Sequence, residues 1–286
     1  MKTSIILEGG GMRGVFTAGV LDFLLEKNIE FDTCIGVSAG ACHACSFLAK
    51  QRGRAFAVST DYLDDKRYCS VHSLITTGNM FGVEMLYDII PNELYPIDND
   101  TLKKGKTKFY TAITNCKTGK AEYPEVKDFF DDVDYIRASS SLPLISKIVK
   151  INGNEYLDGG ITDPIPIVRA MSDGCEKALV VLTQPKGFVK KPDGFMKLMK
   201  LKYRKYPKFI QAMENRSRIY NETLELIERY EEKGKIFVIR PEEDLCVGRT
   251  EKDIEKLKNA YEKGYAVMKK RFDELQEYIK DTTKNS

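Results

Sequence analysis

Hydrophobic and polar positions along the chain follow two periods, and their order lays out an architecture. Ser4–Leu7 is a short apolar run, the pattern of a buried strand. Val15–Lys27 carries Val15, Phe16, Val20, Leu21, Phe23, Leu24 and Leu25, a helix with a wide core face. Phe31–Ile35 reads as a second strand, and Ala39–Lys50, apolar with small residues, as a helix packed tightly on the sheet. Strand, helix, strand, helix at this spacing opens a βαβ unit, so the pattern predicts an α/β fold with a parallel sheet.

Between about residues 51 and 106 the pattern loosens around Gly78, Gly82, Pro91 and Pro96, and predicts short helices and loops covering a site. Lys108–Thr114 alternates as a strand does. Asp134–Ser141 ends a helix before Pro143. Ile145–Ile151 and Glu155–Leu157 flank Asn152-Gly153-Asn154 and predict a β-hairpin, because Asn-Gly suits a tight turn. Ala178–Thr183 is another buried strand. Glu222–Glu232 reads as a charged helix, Lys235–Ile239 as a strand, and Glu251–Tyr278 as one or two helices.

Composition narrows the function classes. Across 286 residues the net charge is +3, which gives no global pull towards nucleic acid. Seven cysteines have no regular spacing; Cys42 and Cys45 form a C-x-x-C with no second pair, so no metal site is expected. Thiols in apolar runs and the absence of a signal-peptide pattern point to a reducing cytoplasm. Lys190–Arg218 departs from the average, with ten basic residues, two acidic ones and interleaved Phe195, Met196, Leu198, Met199 and Leu201. It is a candidate for peripheral contact with an anionic membrane; the competing reading is a cap helix with a solvated basic face, since Pro192 and Pro207 interrupt a long amphipathic helix.

Chemistry concentrates in two glycine-bearing turns. Gly36-Val37-Ser38-Ala39-Gly40 lies between a strand and a helix, as a nucleophile elbow requires: Gly36 and Gly40 give room for a sharp turn that lifts Ser38 to a helix N-terminus. Gly9-Gly10-Gly11-Met12-Arg13-Gly14 places successive unobstructed N–H groups at the start of another helix, an anion nest. Its spacing fits a dinucleotide fingerprint, with Glu30 or Asp32 about twenty residues on. Beside Ser38 it also fits an oxyanion hole made by Gly9, Gly10 and Gly11, with Arg13 stiffening the loop.

A nucleophilic serine needs a base. The two histidines fit poorly: His43 lies five residues past Ser38, about 140° round a helix, and His72 sits in a polar stretch. Asp158, in Tyr156-Leu157-Asp158-Gly159-Gly160, ends a strand at two glycines that can hold a carboxylate rigidly. A lone carboxylate is a weak base, with a reference pKa of about 3.9, so the oxyanion site must supply much of the stabilisation.

These three motifs in this order, with Arg137-Ala138-Ser139-Ser140-Ser141-Leu142-Pro143 and Asp163-Pro164-Ile165-Pro166, resemble the patatin-like phospholipases over roughly residues 4–185. The resemblance implies a three-layer α/β/α sandwich with a mainly parallel central sheet, and a Ser38–Asp158 dyad without catalytic histidine. It implies an oxyanion hole in the glycine-rich turn and hydrolysis of lipid acyl esters without metal or other cofactor. Glu8 stands where many members carry Asp. Beyond residue 190 the chain is similar to the helical C-terminal extension of a bacterial subgroup. The expected organisation is a catalytic domain over 1–185 and an extension over 186–286 that packs on or caps it. A soluble short-chain esterase or thioesterase is the alternative activity, and a dinucleotide-binding module the remote one.

Overall fold

The computed structural model describes residues 1–280. Nine strands among them form one sheet: β1 (Thr3–Leu7), β2 (Thr33–Val37), β3 (Lys108–Asn115), β4 (Lys120–Glu122), β5 (Glu125–Val126), β6 (Val149–Ile151), β7 (Asn154–Asp158), β8 (Lys177–Val181) and β9 (Ile236–Ile239). Their order is β6-β7-β3-β2-β1-β8-β9, with β4 and β5 also paired to β3. From β3 to β9 neighbouring strands are parallel; the hairpin β6–β7 joins antiparallel to β3.

Each parallel strand feeds two cores, because successive side chains point to opposite faces. Ile5 and Leu7 face one layer, with Phe16 of the Val15–Glu26 helix and Phe47 of the Ala39–Leu48 helix. Ile6 faces the other, with Ile167 and with Tyr220 and Ile227 of the Pro207–Glu232 helix. The result is the α/β/α sandwich expected, with a mixed sheet.

The chain after residue 185 is woven into this sandwich. β9 extends the sheet beside β8, and Phe237 and Val238 enter opposite cores. The Ile254–Lys270 helix crosses the Val15–Glu26 helix at two glycines: a Cβ on Gly19 would overlap the Tyr261 carbonyl, and one on Gly264 the Phe16 carbonyl.

Most predicted elements are present within a few residues of their expected ends. The hairpin turns at Asn152-Gly153, both at positive φ, but β6 begins only at Val149, after a loop in which Leu144 also takes a positive φ. The charged helix expected from Glu222 begins at Pro207, fifteen residues earlier. Pro207 sits in its first turn, where the missing N–H would have no helical partner, so it starts this helix instead of interrupting one. The candidate membrane segment is therefore divided between a short helix, Met196–Lys202, and the first half of this long one. No helix among the described residues is long and apolar enough to cross a membrane.

Candidate active site

Ser38 follows β2 and occupies the N-terminal cap of the Ala39–Leu48 helix at φ 55°, ψ −125°. For a residue with a side chain this conformation costs roughly 1–3 kcal/mol, and it persists because the surroundings enforce it. A Cβ on Gly36 would come within 2.5 Å of Ala41 Cα, and one on Gly40 within 2.5 Å of the Leu7 carbonyl, so bulk at either place would prevent the turn. The Ser38 N–H donates to Ser139 Oγ at 2.9 Å, and the Ser139 hydroxyl donates to the Ala112 carbonyl at 2.7 Å.

Strand register carries Asp158 to the same place. Val37 pairs with Ala112 across β2–β3, and the next residue of β3, Ile113, pairs with Asp158 across β3–β7. Two strand spacings thus close a gap of 120 residues in sequence. Gly159 lets the chain pass against the Ala112 backbone, and the Gly160 N–H donates to Asp158 Oδ1 at 2.7 Å. Asp158 Oδ2 is buried with no hydrogen-bond partner among the described residues. Burial pushes the carboxyl above its ordinary pKa; Arg216, the Ser38 hydroxyl, the Gly160 N–H and Arg249 pull it back in part. The serine is near enough to be felt, but no hydrogen bond of ordinary length joins the two side chains.

The glycine-rich turn closes over Ser38 from β1. Gly9 packs directly on Ser38: a Cβ there would lie 2.7 Å from Ser38 Cβ. Gly11, at φ +59°, packs against the Arg249 carbonyl, which accepts the Met12 N–H at 3.1 Å. The N–H groups of Gly9, Gly10 and Gly11 have no protein acceptor among the described residues. Arg13 reaches out of its own turn towards the Val247 carbonyl of the C-terminal region, and its Nε is buried without a partner among the described residues. Gly14 gives way to the His43 ring.

Ser38 lies where two cavities meet. One is largely apolar and runs under the segments of residues 54–90, past Ala55, Val58, Phe81, Leu86 and Ile90. The other, a cleft, holds Asp158, the glycine turn and four cations: Arg13, Lys190, Arg216 and Arg249. Ser38, Gly11 and Leu142 border both.

Residues 5–171 match the family model described as Patatin-like phospholipase, more than half of the chain. The chain belongs to the patatin-like phospholipase family. Residues 206–280 match a second model, a domain of unknown function. The chain is similar to YjjU, an uncharacterized protein of Escherichia coli, with 29% identity over 85% of this chain and 70% of that protein. It is also similar to a probable lipid hydrolase, 463L, of invertebrate iridescent virus 6 (25% identity, 57% of this chain, 61% of the relative). A third relative is the lysophospholipase NTE1 of Eremothecium gossypii, 26% identical over 62% of this chain but only 12% of that protein. Among solved structures, VipD from Legionella pneumophila aligns with 96% of this chain and 67% of its own, at a TM-score of 0.48 and 14% identity.

Within this patatin-like site neither histidine lines the cleft that holds Ser38 and Asp158. His43 is buried under Gly14 in the wall of the apolar cavity, and burial lowers its pKa to about 4, so it is neutral near pH 7. His72 is exposed on the Val71–Thr77 helix and lines neither cavity. Sequence reasoning missed Ser139, visible only as one of three successive serines. It also missed the ties made by Glu8: buried beneath the glycine turn, it accepts the Thr183 N–H at 2.6 Å and the Tyr220 hydroxyl of the Pro207–Glu232 helix. The longer reach of Glu over Asp suits this bridge between β1, β8 and the C-terminal region. Desolvation raises the pKa of Glu8 against those hydrogen bonds.

Proposed function

We propose that this patatin-like hydrolase cleaves long-chain acyl esters of lipids through a Ser38–Asp158 dyad and an acyl-serine intermediate. The observation that carries the reading is convergence: Ser38 at positive φ, the unpartnered Asp158 Oδ2 and the free amides of Gly9–Gly11 all face one cleft. Asp158 accepts the Ser38 proton as Oγ bonds to the ester carbonyl carbon. The amides of Gly10 and Gly11, with Gly9, hold the oxyanion; each good donor contributes about 3–4 kcal/mol, which compensates for a weak base. The alcohol leaves with the proton from Asp158. Water then attacks the acyl-serine, its proton passing to Asp158, and the fatty acid departs as the serine re-forms.

The apolar lining of the first cavity, from Ala55 and Val58 to Phe81, Leu86 and Ile90, favours a long acyl group over the short-chain esterase alternative. The relatives described as a lysophospholipase and a probable lipid hydrolase agree with lipid as the substrate class. In this reading the region after residue 185 caps the catalytic part, supported by β9 in the sheet. The protein works in the cytoplasm, in keeping with cysteines that are all free. Peripheral membrane contact is supported by exposed Phe195, Leu198 and Leu201 beside exposed Lys197 and Lys200. Sedimentation that increases with anionic lipid would support that contact, and binding that ignores lipid charge would remove it.

A fluorophosphonate probe tests the nucleophile. It is expected to label the wild-type protein and not Ser38→Ala; equal labelling of both would end the proposal.

A further inference from the structure

The cationic half of the site is left without a task by the hydrolytic chemistry. Among the described residues only Arg216 of its four cations makes an ion pair, and Arg249 and Lys190 make no hydrogen bond through their side chains either. Both are placed by their backbones. The Arg249 carbonyl accepts the Met12 N–H, and Lys190 exchanges two hydrogen bonds with Asn221, 2.8 and 3.1 Å long. The Lys190 ammonium stands over the Tyr220 ring, 4.9 Å from its centre. Arg216 lines the same cleft, nearly buried, bonding the Gly160 carbonyl through Nε at 2.9 Å and Asp193 through Nη1 at 3.2 Å.

Gathering these charges in a partly dry cleft is unfavourable. Lys190 is depressed to about 8, first by desolvation and then by Arg216 and Arg249, while Asp193 and Glu8 act in the opposite sense. Arg249 is lowered by the same kind of desolvation and by Arg216 and Arg13, against Asp158 and Asp193. The nearby acids leave the deficit in place: Asp193 is engaged by Arg216, and burial pushes both Glu8 and Asp158 towards their neutral forms. A bound anion would relieve it.

The position of that anion follows from the junction at Ser38. With the acyl chain in the apolar cavity, the alcohol part of the ester lies in the cationic cleft. We infer that Lys190, Arg216 and Arg249 form a binding site for a phosphate on the leaving alcohol, so the substrate is a phosphate-bearing, net-anionic acylglycerol. The inference rests on the acyl-hydrolase reading for the orientation of the substrate. Phosphate fits this donor set: it offers several acceptor oxygens, and two guanidinium groups can each meet it with paired N–H groups.

The test uses the full chain carrying Ser38→Ala, titrated calorimetrically with octanoyl esters kept below micelle-forming concentration. Octanoylglycerol phosphate is expected to bind about tenfold or more tightly than neutral octanoylglycerol and than the phosphocholine ester. In Arg249→Gln, and separately in Lys190→Gln, that advantage is expected to shrink to about threefold or less. Both substitutions keep the backbone bonds that hold the two loops, and the second keeps the test decisive if the first disturbs folding. Equal binding of the three lipids would overturn the site. Glycerol 3-phosphate or inorganic phosphate binding as tightly as the acylated ligand would overturn the lipid assignment in favour of free phosphate. Because Ser38→Ala has no nucleophile, the result is independent of turnover. Loss of probe labelling in the wild type with a preserved phosphate preference would sink the hydrolase reading alone.

Discussion

The two sides of Ser38 are built from different parts of the chain and on opposite electrostatic terms. The apolar side comes from residues before 143: burial lowers His43 and raises Cys42 and Cys45, and the one cation in its lining, Arg54, donates to the Tyr95 carbonyl and the Ser46 hydroxyl. The opposite side draws Lys190, Arg216 and Arg249 from the region after residue 185 and gathers them in one cleft. In the proposed mechanism, dispersion holds one half of the substrate and charge holds the other, with the reacting bond at the seam. The glycine-rich turn belongs to both halves, since Gly11 borders each and packs on the Arg249 carbonyl.

The largest effect should come from the seam itself. Ser38→Ala is expected to lower ester hydrolysis by about 10⁴-fold or more, and Asp158→Asn by about 10³-fold or more, measured as kcat/KM. A histidine-dependent mechanism would instead lose activity by a similar factor when His43 is replaced. Asp158→Asn should also raise stability by about 0.5–2 kcal/mol at neutral pH. Burial raises the folded-state pKa of Asp158, so its ionised form weakens the fold as pH rises past the ordinary carboxylate range. The gain should fade on acidification, as the wild-type carboxyl takes up its proton; denaturant titrations at two pH values would read it.

Next comes the attachment of the cationic side. Gly264→Val forces a side chain into the Phe16 backbone and should cost about 1–3 kcal/mol, lowering the Tm of the whole protein in one transition. A separate early transition, with the catalytic part unmoved, would mean the two regions fold independently. On the acyl side, Ala55→Phe fills part of the apolar cavity. The ratio of kcat/KM for dodecanoyl over butanoyl esters should drop about tenfold. An unchanged ratio would place the acyl chain elsewhere.

The smallest effect is a displacement along the pH axis. Asp158 acts as a base only when ionised, and its pKa lies above the ordinary 3.8. Activity should therefore fall on acidification at a higher pH than an exposed aspartate would give. An acid limb at or below the ordinary range would exclude Asp158 as the titrating base.

Much of this site is legible in the sequence because it is local. A strand, a glycine turn and a helix N-terminus are written within about a dozen residues, and Gly36, Ser38 and Gly40 carry their geometry with them. Asp158 was reachable because few bases compete for the role. Ser139 was not: its value lies in meeting the Ser38 N–H across 101 residues, which depends on how the helix after β5 seats against β3. The basic stripe was only partly legible for a similar reason. Read as one amphipathic segment, Lys190–Arg218 hides that Lys190 and Arg216 turn into the cleft while Lys197 and Lys200 face solvent.

The sequence alone determined the α/β alternation, the elbow at Ser38 and the anion nest at Gly9–Gly11, since these follow from side-chain period and backbone freedom over short spans. Tertiary structure decided that Ser38 and Asp158 border one cleft, the division of the site into an apolar and a cationic half, and the entry of the C-terminal region through Arg249. Those are set by strand register and by which face of each element is buried. Both are properties of the packed chain, in which residues far apart in sequence share one low-dielectric site.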